Sequence, residues 1–197
     1  MLKRQLRPAI LVTLVLMVIT GLAYPGLVTA LAQLLFPRQA NGSLVVVRDT
    51  VVGSEWIGQR FARAEYFHPR PSAAGTGYDD TLSAGTNKGP TDRKLADTLI
   101  AQAVDSAVRL DHAVKGRVPS DLVTSSGSGL DPHISPASAE LQVARVARAR
   151  GLDTAVVRRL VTRYTEGRQF GFLGEPRVNV LRLNLALDSL SGPGRRP

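Results

Sequence analysis

The longest feature of the hydropathy pattern is a stretch without charge. No charged residue lies between Pro8 and Pro37, and within 9–36 the polar side chains Thr13, Thr20, Thr29 and Gln33 interrupt a run dominated by Leu, Val, Ile and Ala. About 20 apolar residues cross a bilayer as a helix, so this run predicts a membrane anchor within residues 1–37. Pro25-Gly26 predicts a kink or a helix end, because proline lacks a backbone donor and crowds the turn before it. Lys3, Arg4 and Arg7 precede the span, whereas only Arg38 follows it closely. That asymmetry places the amino end in the cytoplasm and residues 38–197 outside it. A cleaved secretory signal is the competing reading, since Ala30-Leu31-Ala32 has the small-x-small form; the apolar run exceeds the roughly 7–15 residues of a signal core. Both readings export the remaining domain. Thr13, Met17, Thr20 and Gly21 share one helical face, where small and hydroxyl side chains either suit close packing against another membrane helix or are the isolated Thr and Gly ordinary in any membrane helix.

Beyond the anchor the periodicity changes repeatedly. Residues 43–50 (SLVVVRDT) are β-branched and predict a strand. Residues 54–66 predict a partly helical segment. Thr91 or Asp92 caps a helix running to about Val114, with Leu95, Leu99, Val104 and Val108 inward. Ser135-Pro136 opens a second helix whose face is Ala139, Leu141, Val143, Val146 and Ala147, and Gly151 ends it. Asp153 caps a third through Tyr164, with Val156, Val157, Leu160 and Val161 inward. Residues 177–187 (RVNVLRLNLAL) alternate apolar and polar, as a half-buried strand should. A basic tail from about residue 192 is expected to be loose. The fold class is α+β (mixed), an exported domain of about 160 residues behind one amino-terminal transmembrane helix.

Composition narrows the chemistry. The chain has 197 residues, a formal net charge of +9 and no cysteine. The last removes disulfides, thiolate metal sites and cysteine nucleophiles. Aromatics are 5 % of residues and the basic residues are scattered, so no nucleic-acid partner is expected. The segment GTNKGPT at 85–91 holds the ingredients of a phosphate loop in the wrong order, with Pro90 deleting an amide. His68, Asp131 and His133 would be the members of a metal site, but no close helical His pair exists, and none is expected. Ser126 or Ser128 with His133 and Asp131 would be the members of a hydrolase triad, which lacks the Gly-x-Ser-x-Gly elbow. An independent anchored hydrolase or binding protein is nonetheless the rival function class.

Two loops remain, 68–91 and 121–135, which spend glycine, proline and serine on backbone shape. Either they cover a small core or they form a docking surface. The candidate docking or nucleotide loop comprises His68, Pro69, Arg70, Asn87, Ser125, Ser126, Gly127, Ser128, Gly129, Asp131 and His133. Ser125 to Gly129 form a small-residue nest of the kind that binds anions, or a turn that starts the helix at Pro136.

The stretches GSEWIGQ at 53–59, YFHPRPSAAG at 66–75, LSAGTNKGPT at 82–91, residues 121–151 with the specific run SGSGLDPHISP at 126–136, GEPRVNVL at 174–181 and LNLALD at 183–188 follow one another behind a single span. In this order they resemble the KdpC family, the C subunits of Kdp-type potassium-transporting P-type ATPases. Ala84 and Thr86 depart from the family's usual Ser-Gly-Gly-Ser-Asn. The resemblance implies a non-catalytic subunit of a potassium uptake complex in the cell membrane. Its implied partners are a channel-like A subunit, a P-type B subunit that hydrolyses ATP, and a small F peptide. It further implies a role in complex assembly and in raising the ATP affinity of the B subunit, with ATP shared with that subunit and no cofactor bound by this chain alone. The phosphorylated motif DKTGT of a P-type pump is absent from the sequence, so the energy source is a partner. With 38–197 outside, docking above the A subunit's ion entrance is the expected mechanism, and any effect on ATP passes through the helix or the partner.

Overall fold

A computed structural model describes residues 2–190; the expected basic tail from about 192 lies outside the described residues. The chain divides into two compact units between Leu44 and Val45.

The first unit is the apolar run in helical form. Helix α1 (Leu2–Val18) passes through a π turn (Ile19–Ala23) into α2 (Tyr24–Leu35). Of this, Arg4–Leu35, 32 residues, is long and apolar enough to span a membrane. The helix does not end at Pro25. Proline cannot donate to the carbonyl four residues back, and the wider turn just before it absorbs that loss. Thr20 spends its hydroxyl within the helix, donating to the Leu16 carbonyl at 2.7 Å. A short α3 (Pro37–Ala40) follows, with Asn41 donating to the Pro37 carbonyl.

The expected strand over 43–50 is a hairpin, β1 (Leu44–Val47) and β2 (Thr50–Ser54). Arg48 and Asp49 turn between them with φ of 49° and 60°, the left-handed pair that matches the twist of the flanking strands. Residues 54–66 form no helix. Trp56 and Ile57 face solvent while Phe61 and Tyr66 are buried, and Gly58 donates to the Leu130 carbonyl at 2.7 Å. A Cβ at Gly58 would stand 2.7 Å from the Asp131 carbonyl, so the two loops approach to backbone distance only because that position has no side chain.

The helix expected from residue 91 or 92 begins where Asp92 accepts the Leu95 amide at 3.1 Å. It is a π segment (Lys94–Ile100) leading into α4 (Ala101–Asp111), and His112 in left-handed conformation stops it short of Val114. Of the expected face, Leu95, Val104 and Val108 are half-buried and Leu99 is exposed, while Ala107, on the same side as Val104 and Val108, is the buried residue.

Helix α5 (Pro136–Arg150) is capped by Ser135, which accepts the Ser138 amide, and ends at Gly151 with φ of 65°. Helix α6 (Thr154–Arg163) is capped by Asp153. A three-stranded antiparallel sheet in the order β3-β5-β4 joins β3 (His133–Ile134), β4 (Thr165–Glu166) and β5 (Arg177–Asn179). Its register pairs Ile134 with Val178 and Val178 with Thr165.

The strand expected over 177–187 ends at Asn179, and Val180–Leu190 is a helix, α7. Leucines at 181, 183, 185 and 187 satisfy a period of two, but burial of Val180, Leu181, Leu183, Asn184 and Leu187 follows the helical steps of three and four. The core is built from Phe61, Tyr66, Phe67 and Ile134, the inner faces of α5, α6 and α7, and Val178.

Candidate functional site

Residues 63–72 have no regular structure, yet Tyr66 and Phe67 are almost wholly buried. A buried backbone without a ladder needs side chains as hydrogen-bond partners. Two amides on helices supply them. Asn184 of α7 accepts the Phe67 amide at 2.8 Å and donates to the Phe67 carbonyl at 3.0 Å. Gln142 of α5 does the same for His68, at 2.7 and 3.0 Å. Each amide imitates the edge of a neighbouring strand.

Arginines complete the fastening. Arg145 donates to the Ala64 and Tyr66 carbonyls at 2.7 and 2.8 Å, and pairs with Asp111 at 2.7 Å. Arg150 donates to the Glu65 carbonyl at 2.6 Å and to Asp188 at 2.8 Å, and lies over the Tyr66 ring. The hydroxyl of Tyr66 donates to the other oxygen of Asp188 at 3.1 Å.

Downstream, Arg70 binds the second loop. Its guanidinium donates to Asp131 at 3.1 Å and to the Thr124 and Ser125 carbonyls at 3.4 Å each. Asp131 also accepts the His133 amide at 3.0 Å, and the His133 Nδ1 lies 3.3 Å from the same oxygen. Burial pushes the Asp131 carboxyl up, but the His133 hydrogen bonds and the Arg70 charge outweigh it and hold the group below its usual range. Burial and the nearby Arg145 charge hold His68 below its ordinary value. The neutral ring fits its Nε2, 3.1 Å from the Arg63 carbonyl.

The serine-rich loop is tied to the segment 72–84 by its carbonyls. Ser128 accepts from the Ala84 amide at 2.9 Å and the Ser83 hydroxyl at 3.0 Å, and Gly129 accepts from the Ser72 hydroxyl at 2.6 Å. Gly129 has φ of 69°, and a Cβ there would meet the Ala84 carbonyl at 2.5 Å. Ser126 and Ser128 hydroxyls face each other at 3.4 Å, and Gly127 and Ser128 are exposed. Asp121 binds the other end of the loop, accepting from the Ser135 amide and from the Ser135 and Ser138 hydroxyls. Asn87 is exposed with φ of 53°.

The structure thus brings Arg70, Ser125, Asp131 and His133 together, while His68 and Pro69 line a cleft of about 320 Å³ with Phe61, Arg70, Tyr78 and Leu110. It does not assemble a triad. His133 Nε2, the atom that would activate a serine, is buried with no hydrogen-bond partner among the described residues. Nor do His68 and His133 form a metal site: no group of three His, Cys, Asp or Glu suited to an ion occurs among the described residues.

A family model described as "KdpC: K+-transporting ATPase, c chain" matches residues 6–189. The chain belongs to the KdpC family. Potassium-transporting ATPase KdpC subunits resemble it closely. That of Gemmatimonas aurantiaca is 65% identical over 189 residues, covering 95% of this chain and 94% of the relative. That of Methylococcus capsulatus is 59% identical over 185 residues, covering 93% and 97%. That of Rhodospirillum rubrum is 55% identical over 185 residues, covering 94% and 95%. These relatives are named as a subunit of the transporter. In this KdpC chain the departures Ala84 and Thr86 sit in a segment whose Ala84 amide binds the serine loop, so the substitutions leave that tie in place.

The residues that reading the sequence missed are Gln142, Arg145, Arg150 and Asn184. Their signal was a polar side chain at a helical step from the apolar positions of α5 and α7, visible once α7 is taken as a helix.

Proposed function

We propose that the chain is a non-catalytic C subunit of an ATP-driven potassium uptake complex, beside a channel-like A subunit, an ATP-hydrolysing B subunit and a small F peptide. The family match across residues 6–189 carries this reading. Its amino end is cytoplasmic, residues 38–197 are extracytoplasmic, and the soluble unit docks above the ion entrance of the A subunit. The Lys3, Arg4 and Arg7 cluster supports the orientation. In support of a docking role, the loops at 66–75 and 121–135 are held rigid by internal bonds of their polar side chains rather than left open for chemistry. The face of Thr13, Met17, Thr20 and Gly21 packs on a neighbouring membrane helix; the unobstructed Gly21 fits that use. The chain assembles the complex and raises the ATP affinity of the B subunit indirectly, as a coupling free energy transmitted through the partner. Docking outside the membrane ranks above direct sharing of ATP with the B subunit as the mechanism.

A cysteine in place of the exposed Ser128, in a chain with none of its own, tests the orientation. In intact cells a membrane-impermeant thiol reagent should label Ser128→Cys from outside. Protection in intact cells with labelling after lysis would overturn the topology and return the serine loop to the side where ATP is found.

A further inference from the structure

The chain turns back on the span as soon as it leaves it. Asn41 donates to the Gln33 side-chain carbonyl at 3.1 Å and accepts from its amide at 3.4 Å, and Ser43 donates to the Arg38 carbonyl at 2.9 Å. Gln33 stands two residues before the apolar helix ends at Leu35. Strand β1 starts at Leu44, three residues after Asn41, so about 10 Å of chain separates it from a residue fastened to the span. The hairpin therefore begins close to the depth where acyl chains give way to headgroups.

Its strands are apolar on both faces. Val45 packs against the core, so alternation turns Leu44 and Val46 to the opposite face. These are 51% and 56% exposed, and Val51 of β2 is 55% exposed. An antiparallel hairpin with one solvated face carries polar residues there; this one carries leucine and valine. Charge selects the occupant. Residues 36–54 contain two arginines, Arg38 and Arg48, and one acid, Asp49. An apolar face flanked by basic side chains has the composition of an interfacial element. Leucine and valine without an aromatic anchor make a poor hot spot for a protein pocket, whereas acyl chains demand no complementary shape.

We propose that Leu44, Val46 and Val51, the outer face of the β1–β2 hairpin, lie in the headgroup–acyl boundary of the bilayer, a second and peripheral anchor beside the transmembrane helix. This goes beyond the subunit reading and is independent of the side of the membrane that residues 38–197 occupy. The test uses the full chain in vesicles of phosphatidylethanolamine and phosphatidylglycerol. The chain has no cysteine, so Val46→Cys or Val51→Cys carries a single nitroxide, with the exposed Ser128→Cys as the control. Spin relaxation should show positions 46 and 51 colliding several-fold more with oxygen, which concentrates among acyl chains, than with a water-soluble nickel chelate on both faces of the vesicle. Position 128 should show the reverse. A preference for the chelate at 46 or 51 would put the face in water, and protection from both reagents would put it against protein, a second copy of this chain included; either result overturns the proposal. Without a spin label, Val51→Trp in a chain carrying Trp56→Phe should be quenched by lipids brominated on their acyl chains. Fluorescence insensitive to bromine would sink the proposal as well. Each substitution keeps an exposed site apolar, so the melting temperature should match that of the parent chain.

Discussion

Asp131 balances two neighbours, the Arg70 guanidinium at 3.1 Å and the His133 amide at 3.0 Å. Asp131→Asn would leave Arg70 without its counter-charge and cost about 1–2 kcal/mol, the scale of a lost charge-assisted hydrogen bond. The carboxyl is held below its usual range in the fold. Its contribution is therefore complete above the unfolded value of about 4 and is lost as pH falls through the lower native value. Melting of the full chain in detergent should separate the variant from the parent at pH 7, and the gap should narrow as pH falls below about 4. A gap that persisted in acid would mean that Asp131 acts by shape rather than charge. His68 shows the opposite pattern of legibility. Its place beside prolines marked it as a loop residue, but the Gln142 amide that holds its backbone lies 74 positions away.

At the scale of elements, α7 shows why periodicity alone misreads a segment. Leucine at every second residue fits a strand, and the same residues, with Val180 and Asn184, fit the inner stripe of a helix. The choice is made by Asn184, whose amide reaches the buried Phe67 backbone from a helix facing it. Asn184→Leu keeps the size of the side chain but strands the Phe67 amide and carbonyl in the core. The expected cost is about 2–4 kcal/mol, since a buried polar group without a partner costs roughly 1–3 kcal/mol. Thermal unfolding would register it as a drop of several degrees, and an unchanged midpoint would show that water replaces the amide. By contrast, α5 and α6 were legible with their caps, Ser135 and Asp153, because capping depends on neighbours within three residues. The π segment before α4 was not legible, since no local residue demands it, and Leu99, which falls within it, is exposed.

For the whole molecule, the buried core cluster lies between Phe61 and Leu187, with Val45 packed against it. A fragment from residue 42 onward should therefore melt cooperatively without the membrane helix, at a midpoint within a few degrees of the full chain. A broad, non-cooperative transition would show that the anchor is part of the folding unit. The amino-acid sequence by itself determined the membrane run, the capped helices α5 and α6, the mixed class of the second unit and, through its ordered motifs, the family. Those signals are local: apolar length, caps within three residues, and contiguous words of sequence. Tertiary structure alone decided that 180–190 is helical, that 54–66 is not, and that Gln142, Arg145, Arg150 and Asn184 hold an irregular loop inside the protein. The reason is physical. A buried irregular backbone takes its hydrogen bonds from whatever side chain the fold brings near, and for Phe67 and His68 those partners lie 117 and 74 residues away.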